Sequence, residues 1–199
     1  MRHGFEFWGL FVVLLALSLW SVPAQGDQAP EGWILTGTHP ADYSAGTTNA
    51  VSQEGRACAY LASIVPQPAE GFGNLMQTIA ADAYRGKRIR LAGFAKPEGV
   101  EGWAGLWMRI DGPEKPPLGF DNMSDRPIRG TGDWRRCEIV LDVPQEATDI
   151  AFGILLAGKG KVYLDNVTFE EVPLTVKVTN VSGMMKKLPS APVNLNFEK

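Results

Sequence analysis

The residues with the greatest chemical reach lie close together in the stretch 101–111, Glu-Gly-Trp-Ala-Gly-Leu-Trp-Met-Arg-Ile-Asp. In an extended strand, side chains alternate between two faces. One face is then Ala104, Leu106, Met108 and Ile110, all suited to a core. The other is Trp103, Gly105, Trp107, Arg109 and Asp111. A helix would set Met108 and Arg109 in conflict, so a period of two fits better. Flat indoles cover the apolar C–H faces of sugar rings, and planar charged groups meet pairs of hydroxyls. Four residues of strand place the two tryptophans about 13 Å apart, a spacing for two non-adjacent rings of an extended glycan. Gln77 can add donors and acceptors, as can Asp121, Asn122 and Arg126 if their loop folds over the same sheet. Facing outward, this side is a binding surface. Facing inward, it is half of a thick core, where Trp is equally at home.

The rest of the chain offers little for catalysis. Beyond the N-terminal segment one histidine remains, His39, beside Pro40. There is no G-x-S-x-G elbow, H-E-x-x-H pair or phosphate loop. Glycoside hydrolysis needs only two carboxylates at a set separation, so composition alone does not exclude it. No such pair can be placed from the sequence, and a non-catalytic protein is expected. The absence of C-x-x-C and of paired histidines argues against zinc. A formal net charge of −3 provides no field to attract nucleic acid or an anionic membrane. The basic run Arg85, Lys87, Arg88, Arg90 reads as a solvated strand edge that also discourages edge pairing.

Residues 1–26 have the three parts of a secretory signal: Arg2 and His3, an apolar run from Leu10 to Trp20, then small residues around Ala24. The apolar run is short for a membrane span. The sequence thus predicts a secreted or periplasmic protein after cleavage. About 170 residues remain, enough for one good core; they divide into a domain at 27–172 and an extension at 173–199. Cys58 and Cys137 are the only cysteines. An oxidising compartment permits a disulfide between them, and two buried thiols fit the pattern equally well.

Those elements are short extended runs at 33–37, 50–53, 57–65, 73–80, 87–95, 101–111, 118–122, 134–143, 150–157 and 161–171, with a further run at 174–181 and an irregular segment at 123–133. Residues 150–157 are apolar on both faces and predict a central strand. Gly158-Lys159-Gly160 predicts a hairpin joining it to 161–171. Many short strands with regular turn chemistry predict an all-β fold, an antiparallel β-sandwich of jelly-roll type. Within it, alternation places Trp134 with Arg136 and Glu138, opposite Cys137.

Three passages carry a specific resemblance. Gly73 to Ile79 followed by Tyr84-Arg85-Gly86-Lys87-Arg88-Ile89-Arg90-Leu91 resembles the "Q, then Y-x-G-K-x-Y-x-L" passage of CenC-type carbohydrate-binding modules. Asp133-Trp134-Arg135-Arg136 with Pro144 is similar to their "W-x-R" strand. Val162-Tyr163-Leu164-Asp165-Asn166-Val167 is similar to their closing "V-x-L-D-D-V" strand. The passages arrive in the family's order across 33–172, and the block 103–131 resembles a narrower bacterial subgroup of exported or regulator-attached domains. The resemblance implies a galactose-binding-like jelly roll with a polysaccharide or other glycan as partner. It also implies a packing role for Trp134 and, through Asp165, a structural calcium, which wants about six or more oxygens. The family's opening "N-L-D-F-E" is missing from the start of the domain, and a near copy, Asn194-Leu195-Asn196-Phe197-Glu198, closes the chain. If the tryptophans are core instead, the expected role is protein interaction or assembly at the cell surface.

Overall fold

The computed structural model describes residues 28–66 and 70–179. The leader expected at 1–26 and the extension beyond 179 lie outside the described residues. Eleven strands follow one another: β1 (Ile34–Gly37), β2 (Tyr43–Thr48), β3 (Cys58–Ser63), β4 (Phe72–Ala80), β5 (Arg88–Glu98), β6 (Val100–Asp111), β7 (Gly119–Asp121), β8 (Ile128–Gly130), β9 (Arg135–Asp142), β10 (Asp149–Ala157) and β11 (Lys161–Val172). They form two antiparallel sheets. The front sheet has the order β1-β4-β10-β6-β7, with β8 also paired to β6; the back sheet has the order β2-β3-β11-β5-β9. Among the described residues the only helical element is the 3₁₀ turn Pro40–Asp42, and no helix is long and apolar enough to cross a membrane. The all-β sandwich expected from the sequence is the observed architecture.

Alternation builds the core. On β6, Ala104, Leu106, Met108 and Ile110 all point inward and are buried, as expected. They meet Leu75 of β4, Ile150 and Ile154 of β10, Ile89 and Leu91 of β5, and Cys137, Ile139 and Leu141 of β9. Each fully buried aliphatic side chain contributes about 1.5–3 kcal/mol by leaving water. As expected, β10 is central, paired with β4 on one side and β6 on the other.

Four expectations need correction. The turn 158–160 does not close a hairpin, because β10 belongs to the front sheet and β11 to the back. It crosses the end of the sandwich instead. Gly160 there has φ +121°, and a Cβ on it would lie 2.5 Å from the Gly99 carbonyl oxygen. Residues 50–53 form no strand; the strand is β2, whose Ser44, Ala45, Gly46, Thr47 and Thr48 lack the bulky alternation that marks its neighbours. The segment read as irregular contains β8. The described part of the 174–181 run forms a turn and a strap instead of a strand. There Thr179 N–H donates to the Val140 carbonyl at 2.9 Å, Val140 N–H donates to Thr179 Oγ1 at 2.9 Å, and Arg88 Nη1 donates to the carbonyls of Leu174 and Val176. These contacts cover the edge of β9 that would otherwise present unpaired backbone groups.

Both cysteines are free and buried. Cys137 lies in the core. Cys58 is on the outer side of the back sheet with Tyr60 and Ala62, where its Sγ donates to the Val51 carbonyl at 3.1 Å. Strands β3 and β9 are separated by β11 and β5, so the cysteine backbones stand about 14 Å apart, twice the reach of a disulfide.

Candidate functional site on the outer face of the front sheet

Trp103, Gly105, Trp107, Arg109 and Asp111 face away from the core, on the outer side of the front sheet. Pairing with β10 sets Trp103 opposite Ala157, Gly105 opposite Leu155, Trp107 opposite Gly153, Arg109 opposite Ala151 and Asp111 opposite Asp149. Across β4, Gly153 is paired in turn with Met76. Trp107 is nevertheless only 5% exposed. It packs in a second apolar cluster with Ala151 and Leu155, and Met76, Trp103 and Phe120 lie against them. Gly153 leaves the ring's neighbour without a side chain: a Cβ there would sit 2.2 Å from the Leu75 carbonyl oxygen. The indole N–H of Trp107 is buried without a hydrogen-bond partner. Neither tryptophan lies between the sheets, yet the two are not equivalent. Trp103 is half-buried and Trp107 is sealed against the outer face.

Gly105 keeps the interval between the tryptophans thin. A Cβ on it would lie 2.9 Å from the Asn122 carbonyl oxygen and 3.5 Å from the Trp103 ring. Beyond Trp107 the face turns polar. Arg109 Nε donates to Asp111 Oδ2 at 2.7 Å, and their side chains are 44% and 22% exposed. Together with Asp149 and residues Gly112, Pro113, Glu114, Lys115 and Pro117 of the β6–β7 connection, they line a groove of about 540 Å³. Asp149 was not anticipated. Its position follows from strand pairing across 38 residues of sequence, which alternation within β10 alone does not reveal.

Asp121 and Arg126 are placed elsewhere. β7 pairs Asp121 with inward-facing Met108, and the side chain is 0% exposed. Its carboxylate accepts from Met123 N–H at 2.8 Å and from Arg126 Nη2 at 2.7 Å. Arg126 also donates to Asp125 at 2.7 Å and to the Glu138 carbonyl at 3.1 Å. Burial disfavours the guanidinium charge, but the bonds to Asp121 and Asp125 outweigh it and raise its pKa. Asn122 Oδ1 accepts from Ser124 N–H at 3.1 Å, an Asx turn. The Asp121 and Arg126 side chains are spent on the turn after β7 and do not join the aromatic face, whereas the Asn122 carbonyl lies over Gly105, next to Trp103. Gln77 is also separate, because it pairs with Phe152 on the inner side of β4.

Asp165 has a structural task in place of the ligating one expected. Its Oδ2 accepts from the backbone N–H groups of Gln53 at 2.8 Å and Glu54 at 3.5 Å, and Oδ1 accepts from Asn166 N–H at 2.8 Å. Among the described residues no three His, Cys, Asp or Glu side chains gather as a metal would need. A carboxylate ringed by N–H donors does not fit calcium, whose shell is built of oxygens. Asp165 and burial together hold Cys58 protonated: desolvation, then the nearby carboxylate, push its thiol up to about 11.

The outer side of the back sheet carries an aromatic group that sequence reading did not assemble. Trp134 packs on Tyr163 at 6.4 Å, and Lys161 Nζ lies 5.4 Å from the centroids of both Tyr60 and Tyr163. Tyr163 donates to Glu98 Oε2 at 2.9 Å; burial first, then Glu98, push its hydroxyl up to about 12. The placement of Trp134 opposite Cys137 agrees with the alternation of β9. His39, side chain 47% exposed, lies 3.9 Å from Glu70.

No protein-family model matches the chain. One curated relative, described as the uncharacterized HTH-type transcriptional regulator YbfP of Bacillus subtilis (strain 168), is 45% identical over 169 residues. That match covers 85% of this chain and 57% of the relative, so the chain spans little more than half of that protein's length. Among solved structures, the CBM22-1 xylan-binding domain of Paenibacillus barcinonensis Xyn10C superposes with a TM-score of 0.55 at 11% identity, covering 73% of this chain and 90% of that one. The C-terminal family 22 carbohydrate-binding module of Clostridium thermocellum Xyn10B gives 0.51 at 10% identity, covering 76% and 94%. The enzymatically active domain of tailspike protein 4 from bacteriophage CBA120 gives 0.55 at 18% identity, covering 71% and 20%. At such identities the likeness is one of fold: the described domain shares the β-sandwich of these structures.

Proposed function

We propose that this chain is an exported, non-catalytic glycan-binding module of the CenC-like kind, gripping sugar on the outer face of its front sheet. The observation that carries this is the succession of Trp103, the apolar patch over Trp107, and the Arg109–Asp111 groove along one strand. Half-buried Trp103 supplies a surface for a sugar's C–H face, and Arg109, Asp111 and Asp149 supply donors and acceptors for hydroxyls. Trp107 supports that surface from beneath and does not contact sugar. The two-ring platform expected from the spacing becomes one ring plus a polar groove. Fold likeness to a xylan-binding domain and to a family 22 carbohydrate-binding module supports the same reading. The leader-like residues 1–26 support export, to the periplasm or outside the cell.

The regulator relative fits ligand recognition as well. Only 30 of this chain's 199 residues fall outside that match, so residues 31–169 lie within it. Those residues contain no α-helix where described, so the matched part is not a DNA-reading helix pair. A sandwich that recurs beside such a regulator suits a sensing module that binds a small saccharide. A glycan array followed by calorimetry on the hits tests the proposal, using the full chain and its Trp103→Ala and Arg109→Ala variants. Saturable binding lost in Trp103→Ala, with the melting temperature lowered by no more than about 4 °C, is expected. Binding to no glycan, or binding indifferent to Trp103, overturns it.

A further inference from the structure

We propose that the cleft between the two sheets beneath Trp33 is a second binding site, for a small, neutral, mostly apolar ring compound with one carboxamide-like edge. The cleft is about 480 Å³, within the range of small-molecule sites. It lies on the opposite side of β4 and β10 from Trp103, and so is independent of the glycan face. Its walls are aromatic. Trp33 meets Phe152 edge-on at 6.1 Å, and Phe152 meets Phe169 at 5.1 Å, with Leu164 and Val167 beside them. The turn that brings Trp33 over the opening is closed by its N–H donating to the Pro30 carbonyl at 2.9 Å.

One residue breaks the apolar lining. Gln77 sits on the inner side of β4, opposite Phe152, where alternation elsewhere on the strand places Leu75 and Ile79. Its half-buried amide has no hydrogen-bond partner among the described residues. An amide there presents one acceptor and two donors to whatever occupies the cleft, the complement of another amide edge. The one ionisable carboxylate in the lining, Asp165, already accepts three backbone N–H bonds, and no cation lines the cleft. An anionic ligand would therefore gain no partner and would meet Asp165.

Benzamide is the probe, with toluene lacking the amide and benzoate replacing it by a charge. In an NMR titration of the full chain, benzamide is expected to give saturable shifts at the Gln77 side-chain amide and at Ala59 and Phe152. Toluene and benzoate should each bind about tenfold more weakly, the scale of one hydrogen bond. Gln77→Leu should weaken benzamide about tenfold and leave toluene unchanged. Equal affinity of wild-type protein for benzamide and toluene overturns the proposal, whether or not the variant folds. So do shifts confined to the Trp103 face, or benzamide binding unaltered in Gln77→Leu. Trp103→Ala should leave all of these titrations intact, which separates failure here from failure of glycan binding.

Discussion

Trp103 and Trp107 occupy one face of one strand, four residues apart, and should nonetheless fail in opposite ways when truncated. Trp107 is 5% exposed and packed with Ala151, Leu155, Met76 and Phe120. Trp107→Ala removes a buried ring from a site that cannot collapse around rigid strands, a loss of about 3–5 kcal/mol. For a domain of this size that is a fall in melting temperature of about 6–20 °C. Trp103→Ala uncovers a ring already partly in water and should cost about 1 kcal/mol. Trp107→Phe is the informative control. It sacrifices some ring contact, about 1–2 kcal/mol, but removes a buried N–H without a partner, a defect worth about 1–3 kcal/mol. The two terms offset, so this variant should lie within about 1 kcal/mol of wild type. Urea unfolding followed by circular dichroism measures all three, and calorimetry with a glycan identified on the array adds affinity. Trp103→Ala should lose binding at near-native stability, and Trp107→Phe should keep both. A Trp107→Ala loss below about 1 kcal/mol, or a Trp103→Ala loss as large as that of Trp107→Ala, would refute the division of labour.

Four further outcomes follow from the geometry. Arg126→Met strands the fully buried Asp121 carboxylate and should cost about 3–5 kcal/mol; Asp121→Asn leaves behind a guanidinium that is one-third exposed, and should cost less in the same urea assay. Gly153→Ala forces a Cβ to within 2.2 Å of the Leu75 carbonyl oxygen, and parting β4 from β10 should cost about 3 kcal/mol, read as a lowered denaturant midpoint. Ellman titration should find two thiols after unfolding and essentially none before, with thermal stability indifferent to dithiothreitol. Cys58 keeps its proton in the folded state to about pH 11, against 9.0 for the free group. The unfolded chain therefore releases its proton first, and this contribution to stability is complete below pH 9 and lost as pH rises to 11; Cys58→Ala should flatten that part of the stability–pH curve.

What the sequence made legible was whatever depends on a local period. Alternation along 101–111 correctly sorted Ala104, Leu106, Met108 and Ile110 from Trp103, Trp107, Arg109 and Asp111, and the double-sided apolar run at 150–157 correctly marked a central strand. Local period says which side chains share a face, but not what lies against that face. Trp107 is buried by Met76, Leu155 and Phe120, which arrive from three other strands, so no pattern within β6 could separate it from Trp103. β7 is three residues long and has no readable period, and Asp121 therefore looked like a loop carboxylate although register with Met108 turns it inward. The glycines at 158 and 160 correctly marked a turn. Turn chemistry is the same whether the next strand pairs with the last or crosses to the other sheet, and here it crosses. Gln77 shows the converse. Its polarity suggested a surface ligand contact, whereas its place in the alternation of β4, between Leu75 and Ile79, already pointed inward. Where residue type and period disagree inside a strand, the period fixes the direction, because backbone pleating is common to every residue while polarity is only a preference. A polar side chain held inward in that way, without a protein partner, is the feature most worth probing with ligands.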